Sequence, residues 1–144
     1  MRLFFTSAFL LLSILTPAKA RDFLGPQDVS PIMVTVVDYA TGGCWTNAGE
    51  VKAYALDQLE ISGLEVLRGE GMPRSILGIV VQAKRDRDGV CFGRISASVS
   101  GLAIWDGKEI LATVFSNGTA FLNDQNANIY VLDFVKGFVK EVSQ

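Results

Sequence analysis

The chain has 144 residues, of which 49% are hydrophobic and 19% charged, and its 13 basic and 15 acidic side chains give a net charge of −2. A slightly acidic chain is a poor match for nucleic acid or an anionic lipid surface, because both attract clustered basic residues. The sequence contains no histidine, which excludes catalytic triads with an imidazole base and most transition-metal sites.

Residues 1–20 have the pattern of a secretory signal peptide. Arg2 gives a basic start, residues 3–15 are predominantly apolar, and Ala18 and Ala20 form an A-x-A cleavage site. The apolar run is shorter than the roughly 20 residues that span a bilayer, so a retained membrane anchor is the weaker alternative. No cysteine follows the site, so no lipid-bearing amino terminus is expected. We predict cleavage after Ala20, export to the periplasm or the medium, and no transmembrane anchor afterwards.

The rest of the chain is predicted to hold one domain. Residues 21–30 are polar and contain glycine and proline, which indicates a loose leader. Residues 31–144 are enough for one hydrophobic core and too few for two. The domain opens at Ile32 with the run IMVTVVDY, whose β-branched residues are typical of a strand buried on both faces.

A helix is predicted to follow this strand. It starts at Asn47, because Glu50 three residues later has the spacing of a capping box. Gly63 ends the helix in a Schellman-type stop that folds Leu64 back on the last turn. Residues 64–67 are predicted as a short second strand, which makes a right-handed β-α-β unit whose strands are parallel neighbours or one strand apart.

The second half of the chain predicts an antiparallel meander and a closing helix. Three strand-like runs follow one another, at residues 76–86, 90–104 and 109–116. Turn signals separate or end them, at Asp88-Gly89, Asp106-Gly107 and Asn117-Gly118. Apolar residues at helical spacing over about 126–142 predict an amphipathic helix. The predicted fold class is therefore α/β, an α+β two-layer sandwich with a β-α-β unit, a three-stranded antiparallel meander and a C-terminal helix.

The first hairpin of the meander has two possible registers. A two-residue turn at Asp88-Gly89 would place Ile79 and Val81 opposite serines. A three-residue loop over 87–89, with Gly89 in a left-handed bulge, makes one face apolar and the other polar. We predict the three-residue loop, because a slip by one residue would turn the apolar set to solvent. Its pairs are Leu77–Val99, Ile79–Ala97, Val81–Ile95, Ala83–Gly93 and Arg85–Cys91.

Cys44 and Cys91, the two cysteines of the chain, are predicted to form a disulfide. An oxidising compartment keeps such a pair closed. A nucleophilic thiol would lack a histidine base, and a zinc site would lack ligands at short spacing. Trp45 is expected to pack over the disulfide rather than to stack on a ligand.

One face of the first hairpin is the candidate binding surface. Its serines leave the backbone accessible, its basic side chains carry charge, and its aromatic ring is an anchor of the kind found at interfaces. Trp105, at the tip of the next hairpin, is added as an exposed aromatic residue. The alternative is the solvated outer face of an ordinary half-buried sheet. The candidate residues are Gln82, Lys84, Phe92, Arg94, Ser96, Ser98 and Trp105.

No catalytic motif is present, so an enzyme is less favoured, and no catalytic residue, metal or cofactor is assigned. Asp38 follows the first strand, where open α/β sheets bind ligands, but a loop-capping role explains it more simply. The predicted function is a small protein-binding or envelope accessory module whose partner is another envelope or extracellular protein. The alternatives are a histidine-independent hydrolase or ligand carrier with a cleft beneath residues 68–75, and an inhibitor of an envelope enzyme.

The order of the predicted elements is similar in outline to that of small periplasmic α/β modules. Examples are the amino-terminal domain of TolB and the lipoprotein activators of penicillin-binding proteins. The resemblance covers the arrangement of elements over most of residues 21–144 and includes no motif. By analogy of fold, it implies a role in binding other envelope proteins.

Overall fold

A four-stranded mixed sheet carries two helices on one of its faces. The structure, a computed structural model, describes residues 29–123 and 125–143. The predicted signal peptide and nearly all of the predicted leader lie outside the described residues. The architecture confirms the predicted α+β class. In chain order, the elements are β1 (Ile32–Asp38), α1 (Ala48–Ile61), β2 (Ser75–Arg85), β3 (Cys91–Trp105), β4 (Lys108–Asn123) and α2 (Asn128–Val142).

The strands lie in the order β1-β2-β3-β4 across the sheet. β1 is parallel to β2, with Ile32 opposite Ser75, and α1 crosses between them, so the predicted β-α-β unit is present. Its second strand is β2, however, and the strand predicted at residues 64–67 is wrong: one parallel bridge, between Val66 and Ile32, takes its place. The pairing goes no further because the glycine-containing segment 68–73 leads the chain away from β1 and into β2.

Helix α1 begins and ends close to the predicted residues, but its start is capped differently. The Asn47 side chain caps no backbone N–H of the first turn, and its Nδ2 donates to Glu50 Oε2 at 2.8 Å. The predicted stop is confirmed. Gly63 has a φ of 84°, and the N–H of Leu64 donates to the carbonyl oxygen of Leu59 at 3.0 Å, as in a Schellman motif.

The hairpin of β2 and β3 has the predicted three-residue loop and the predicted register. Gly89 has a φ of 86°, and the N–H of Asp86 donates to the carbonyl oxygen of Val90 at 2.9 Å. Ile79 and Ile95 are consequently fully buried. The alternation of apolar and polar residues was sufficient to predict this register, because one face of the hairpin is covered and the other is not.

β4 continues well beyond its predicted end at residue 116. Asn117 and Gly118 lie within the ladder, opposite Ala97 and Ser96, so the turn predicted at Asn117-Gly118 is wrong. β3 is itself 15 residues long and offers hydrogen-bonding groups along its whole length. This long-range pairing overrides the local turn preference of the two residues.

Alternate side chains of the sheet meet the two helices to form the core. Each helix contributes a stripe of buried residues at the spacing of an amphipathic helix; these are Val51, Ala55 and Leu59 from α1, and Val131, Val135, Phe138 and Val139 from α2. The predicted C-terminal helix is therefore confirmed. We call the helix-covered face of the sheet the inner face and the opposite one the outer face. Among the described residues, no helix is long and apolar enough to cross a membrane.

Candidate functional site

The predicted disulfide lies on the inner face. Cys44 and Cys91 are bonded, with a Cα–Cα distance of 5.5 Å, and both are fully buried. Trp45 is 3% exposed, so it packs in the core as predicted. The bond ties the loop before α1 to the first residue of β3. Neither the sulfurs nor the indole ring is accessible to a ligand, so these three side chains have a structural role.

Arg85, which faces Cys91 across the hairpin, has a role that the sequence analysis missed. Its guanidinium donates to the carbonyl oxygens of Gly42, Gly89 and Gln125, at 2.9, 2.5 and 2.7 Å. These oxygens belong to three separate segments: the loop before α1, the hairpin loop, and the connection between β4 and α2. A planar guanidinium with five N–H donors is suited to such bridging. The one signal in the sequence for this bridging role was a basic residue at a position of the hairpin that the predicted register assigns to the inner face.

Most of the candidate binding residues share one end of the outer face. Gln82 lies opposite Arg94, and the Nε of Arg94 donates to Gln82 Oε1 at 2.7 Å. Lys84 lies opposite Phe92, which is 43% exposed. Leu122 of β4 lies beside Phe92 and is 76% exposed. The sequence analysis missed Leu122 because β4 was expected to end before it.

A shallow depression of about 620 Å³ adjoins this basic end. Ser96 and Ser98 of the candidate surface lie in its floor. Ser98 has Gly78 of β2 on one side and Ser116 of β4 on the other, so small residues cross three strands in a row. The depression therefore has space for larger side chains of a binding partner.

Trp105 is separate from these residues. It is 73% exposed at the tip of the β3–β4 hairpin, beside the turn formed by Asp106 and Gly107, whose φ angles are 50° and 72°. Along β3, Trp105 lies roughly 35 Å from Arg94 at the usual rise of a strand. The tip is exposed as expected, but the structure does not bring Trp105 together with the other candidate residues.

Asp38, the acid considered as a catalytic candidate, has a local structural role. Its Oδ1 accepts a hydrogen bond from the N–H of Ala40 at 2.7 Å, as expected of a loop-capping aspartate. Arg68 forms ion pairs with Asp57 and Glu60, at 3.2 and 2.9 Å, and its hydrogen bond lowers the pKa of Glu60. The described part of the chain contains no cluster of three or more His, Cys, Asp or Glu side chains that could hold a metal ion.

Comparisons with known proteins give distant likenesses. No protein-family model matches the chain, and no curated protein matches it. Among solved structures, it is similar to the PelC dodecamer of Paraburkholderia phytofirmans in two crystal forms, one of a point variant. The TM-scores are 0.49 and 0.43, with 13% and 12% identity over 83% of this chain and 89% and 87% of that chain. A minor lipoprotein from Acinetobacter baumannii has a TM-score of 0.38 and 8% identity, over 78% of this chain and 91% of that chain. Likeness at this level carries no argument about function, partners or assembly.

Proposed function

We propose that this protein is a small exported module of the cell envelope that binds another envelope or extracellular protein on the outer face of its sheet. The observation that carries the proposal is the combination of exposed apolar and basic side chains at one end of the outer face, next to the depression. Interfaces are enriched in aromatic residues and arginine. The binding residues would be Gln82, Lys84, Phe92, Arg94, Ser96 and Ser98, together with Leu122, while Trp105 would make a separate contact.

The charges at this end indicate the chemistry of the partner. Both ion pairs within the described residues belong to Arg68, so neither Lys84 nor Arg94 has a carboxylate partner there. Gln82 holds the Nε of Arg94, which restricts the guanidinium and leaves its terminal N–H groups for a carboxylate. Two residues along β3 from Arg94, on the same face, lies the exposed ring of Phe92, with the exposed side chain of Leu122 opposite it on β4. We infer a partner that presents an acidic residue beside an apolar patch.

Export of the chain rests on the pattern of residues 1–20. The buried disulfide supports it, because disulfides persist in oxidising compartments outside the cytosol. Cleavage after Ala20 would leave the leader at residues 21–30 and the domain at residues 31–144. The mass of the protein recovered from an envelope fraction tests this: an amino terminus at Arg21 is expected, and an uncleaved chain would contradict it.

A small-molecule carrier is the second candidate function, and the volume of the depression is the observation in its favour. Its volume of about 620 Å³ falls within the roughly 300–1,000 Å³ of typical ligand pockets. Such pockets are usually concave and bury most of the ligand. The depression is shallow and lies on a sheet face, so protein binding is the better fit.

Cross-linking in intact cells distinguishes a protein-binding module from a small-molecule carrier. The full chain carries a carboxyl-terminal affinity tag, is cross-linked in its source cells and is recovered with its bound proteins. The outer-face variant is Arg94→Glu/Phe92→Ala. The matched control is Lys52→Glu/Ile129→Ala, which makes the same charge reversal and a comparable truncation at exposed positions of α1 and α2.

One protein, recovered near stoichiometry with the unaltered chain and the control, should be lost with the outer-face variant. Equal recovery with both variants would place the binding surface elsewhere. If no protein is recovered, the carrier becomes the better candidate. Native mass spectrometry of the purified chain would then look for a retained small molecule.

A further inference from the structure

The β3–β4 hairpin extends beyond the rest of the sheet. β2 begins at Ser75, opposite Gly101, so the hairpin residues between 102 and 111 form a two-stranded ribbon, and no strand of the described residues lies beside most of its length. Isolated two-stranded ribbons are marginally stable in water, so a partner surface would stabilise this one. Its large apolar residues are exposed, at 52% for Leu102, 77% for Ile104, 73% for Trp105, 40% for Ile110 and 58% for Leu111.

No described segment of the chain pairs with the β4 edge of this ribbon. The N–H of Leu102 donates to the carbonyl oxygen of Arg74 at 3.4 Å, on the β2 side of the hairpin. Leu111 faces Leu102 in the ladder, so the main-chain groups of Leu111 point to the opposite, free side. This direction alternates along a strand, and therefore the N–H and C=O groups of Glu109 and Thr113 point the same way.

Further along β4, side chains close the same edge. Asn117 Oδ1 accepts from the N–H of Gly118 at 2.7 Å. The hydroxyls of Tyr130 and Thr119 both donate to the carbonyl oxygen of Ala120, each at 3.2 Å. Proteins commonly protect free edges against pairing with other chains, and a shift in the β3–β4 register separates the closed part from the ribbon. Within the described residues, side chains thus occupy main-chain groups of this edge at Gly118 and Ala120, and none does so at Glu109, Leu111 or Thr113.

We propose that two copies of the chain pair through this open edge, antiparallel, about a twofold axis at Leu111. Leu111 then faces Leu111 of the partner subunit, and Glu109 faces Thr113 of the partner subunit. Each facing pair exchanges two main-chain hydrogen bonds, which satisfies all the outward-pointing groups of the ribbon edge. No like charges lie opposite each other in this register. The edge is thus complementary to itself, and a second copy fits it without any other surface.

The same register also continues the apolar face of the ribbon. Leu102 lies beside Leu111, and the axis adds Leu111 and then Leu102 of the partner subunit, which makes an unbroken row of leucine side chains. This edge buries less surface than a standard interface of about 800 Å² per partner. We therefore expect a weak dimer that forms only as the concentration of the protein rises. The proposal goes beyond the proposed function and does not depend on it, because neither Arg94 nor Phe92 takes part.

A disulfide trap tests the axis directly. The native cysteines are bonded to each other and buried, so Leu111→Cys introduces the one free thiol of the chain. Facing residues of a hydrogen-bonded antiparallel pair have Cα atoms about 5.5 Å apart, which a disulfide spans. The control is Leu122→Cys, at an exposed position of the same strand beyond the closed part of the edge. Mild oxidation of the full chain should give roughly tenfold more covalent dimer with Leu111→Cys; equal yields would overturn the proposal.

Sedimentation of the chain without an added cysteine gives an independent measurement. The average mass should rise with concentration, and Leu111→Lys should abolish the rise because it places two lysines side by side at the axis. Ile104→Lys makes the same change on the same ribbon but on β3, away from the open edge, and should retain most of the rise. A monomer at every concentration, or equal loss with both lysine variants, would exclude pairing through this edge. Retention of the circular dichroism spectrum checks that each variant is folded.

Discussion

Cys44, in the loop before α1, is bonded to Cys91, the first residue of β3, and both are fully buried. The bond closes a loop with a sequence separation of 47, which stabilises the fold by about 4 kcal/mol in the chain-entropy model. We expect Cys44→Ala/Cys91→Ala to lower the melting temperature by about 10 °C or more. Calorimetry of the variant and of the unaltered chain checks this, and an unchanged melting temperature would contradict the structural role of the disulfide.

Arg85 should be sensitive even to a conservative change. An Arg85→Lys substitution keeps the charge but cannot reach the carbonyl oxygens of three segments with one ammonium group. We expect a loss of about 2 kcal/mol in the free energy of unfolding, because the charge-assisted hydrogen bonds that join the three segments are lost. Urea denaturation measures it. Arg94→Lys, on the exposed outer face, is the matched control and should change stability by less than about 0.5 kcal/mol; equal effects would mean that the Arg85 contacts contribute little.

Gly93 has no space for a side chain. A Cβ atom there would lie 2.1 Å from the carbonyl oxygen of Gln82 and 2.7 Å from the Cα of Ala83, so the two strands would have to separate. We expect Gly93→Ala to lower the free energy of unfolding by about 3 kcal/mol or more. Gly137→Ala in α2, where a Cβ meets nothing within 4 Å, should instead raise it by up to about 1 kcal/mol. Chemical denaturation of the two variants should therefore give opposite signs.

The two faces of the hairpin should differ in their response to substitution. Ile79 is fully buried, so Ile79→Ser removes core contacts and buries a hydroxyl; we expect a loss of about 4 kcal/mol. Ser96 is exposed on the outer face, and Ser96→Ala should stay within about 0.5 kcal/mol of the unaltered chain. The measurement is the urea midpoint of each variant. Similar midpoints would be inconsistent with the observed register.

The closed part of the β4 edge should open when its side-chain bonds are removed. Asn117→Ala/Tyr130→Phe leaves the N–H of Gly118 without its side-chain acceptor and removes one of the two hydrogen bonds to the carbonyl oxygen of Ala120. The phenyl ring at position 130 can keep its contact with Phe121. An unprotected edge pairs with other chains, so light scattering on warming should begin at a lower temperature. Tyr54→Phe, which removes a hydroxyl from α1, should leave the onset unchanged, and an equal onset for the two variants would show that the edge bonds have no protective role.

Several features of the fold follow from short-range patterns. Alternation along residues 75–85 and 91–99 predicts the hairpin register, because only one register buries all the large apolar residues on the helix-covered face. Gly63 predicts the end of α1, because the left-handed residue of a Schellman motif has no Cβ to clash. The compartment and the cysteine count predict the Cys44–Cys91 disulfide. Each of these depends on a few neighbouring residues or on chemistry that one residue type carries.

Other features depend on segments that are distant in sequence. Asn117 and Gly118 prefer a turn locally, yet they extend in β4 because the long β3 supplies their hydrogen bonds. For the same reason Leu122 reaches the outer face beside Phe92, and the candidate surface gains an apolar residue that no local pattern indicates. In the sequence, Arg85 is only a basic residue in an apolar stripe. Its bridging role depends on the three segments that the fold brings to its guanidinium. Apart from the bond between Arg85 and Gly89 in the same hairpin, the hydrogen bonds that set these positions join residues 20 or more apart, and so they exist only once the strands are packed together.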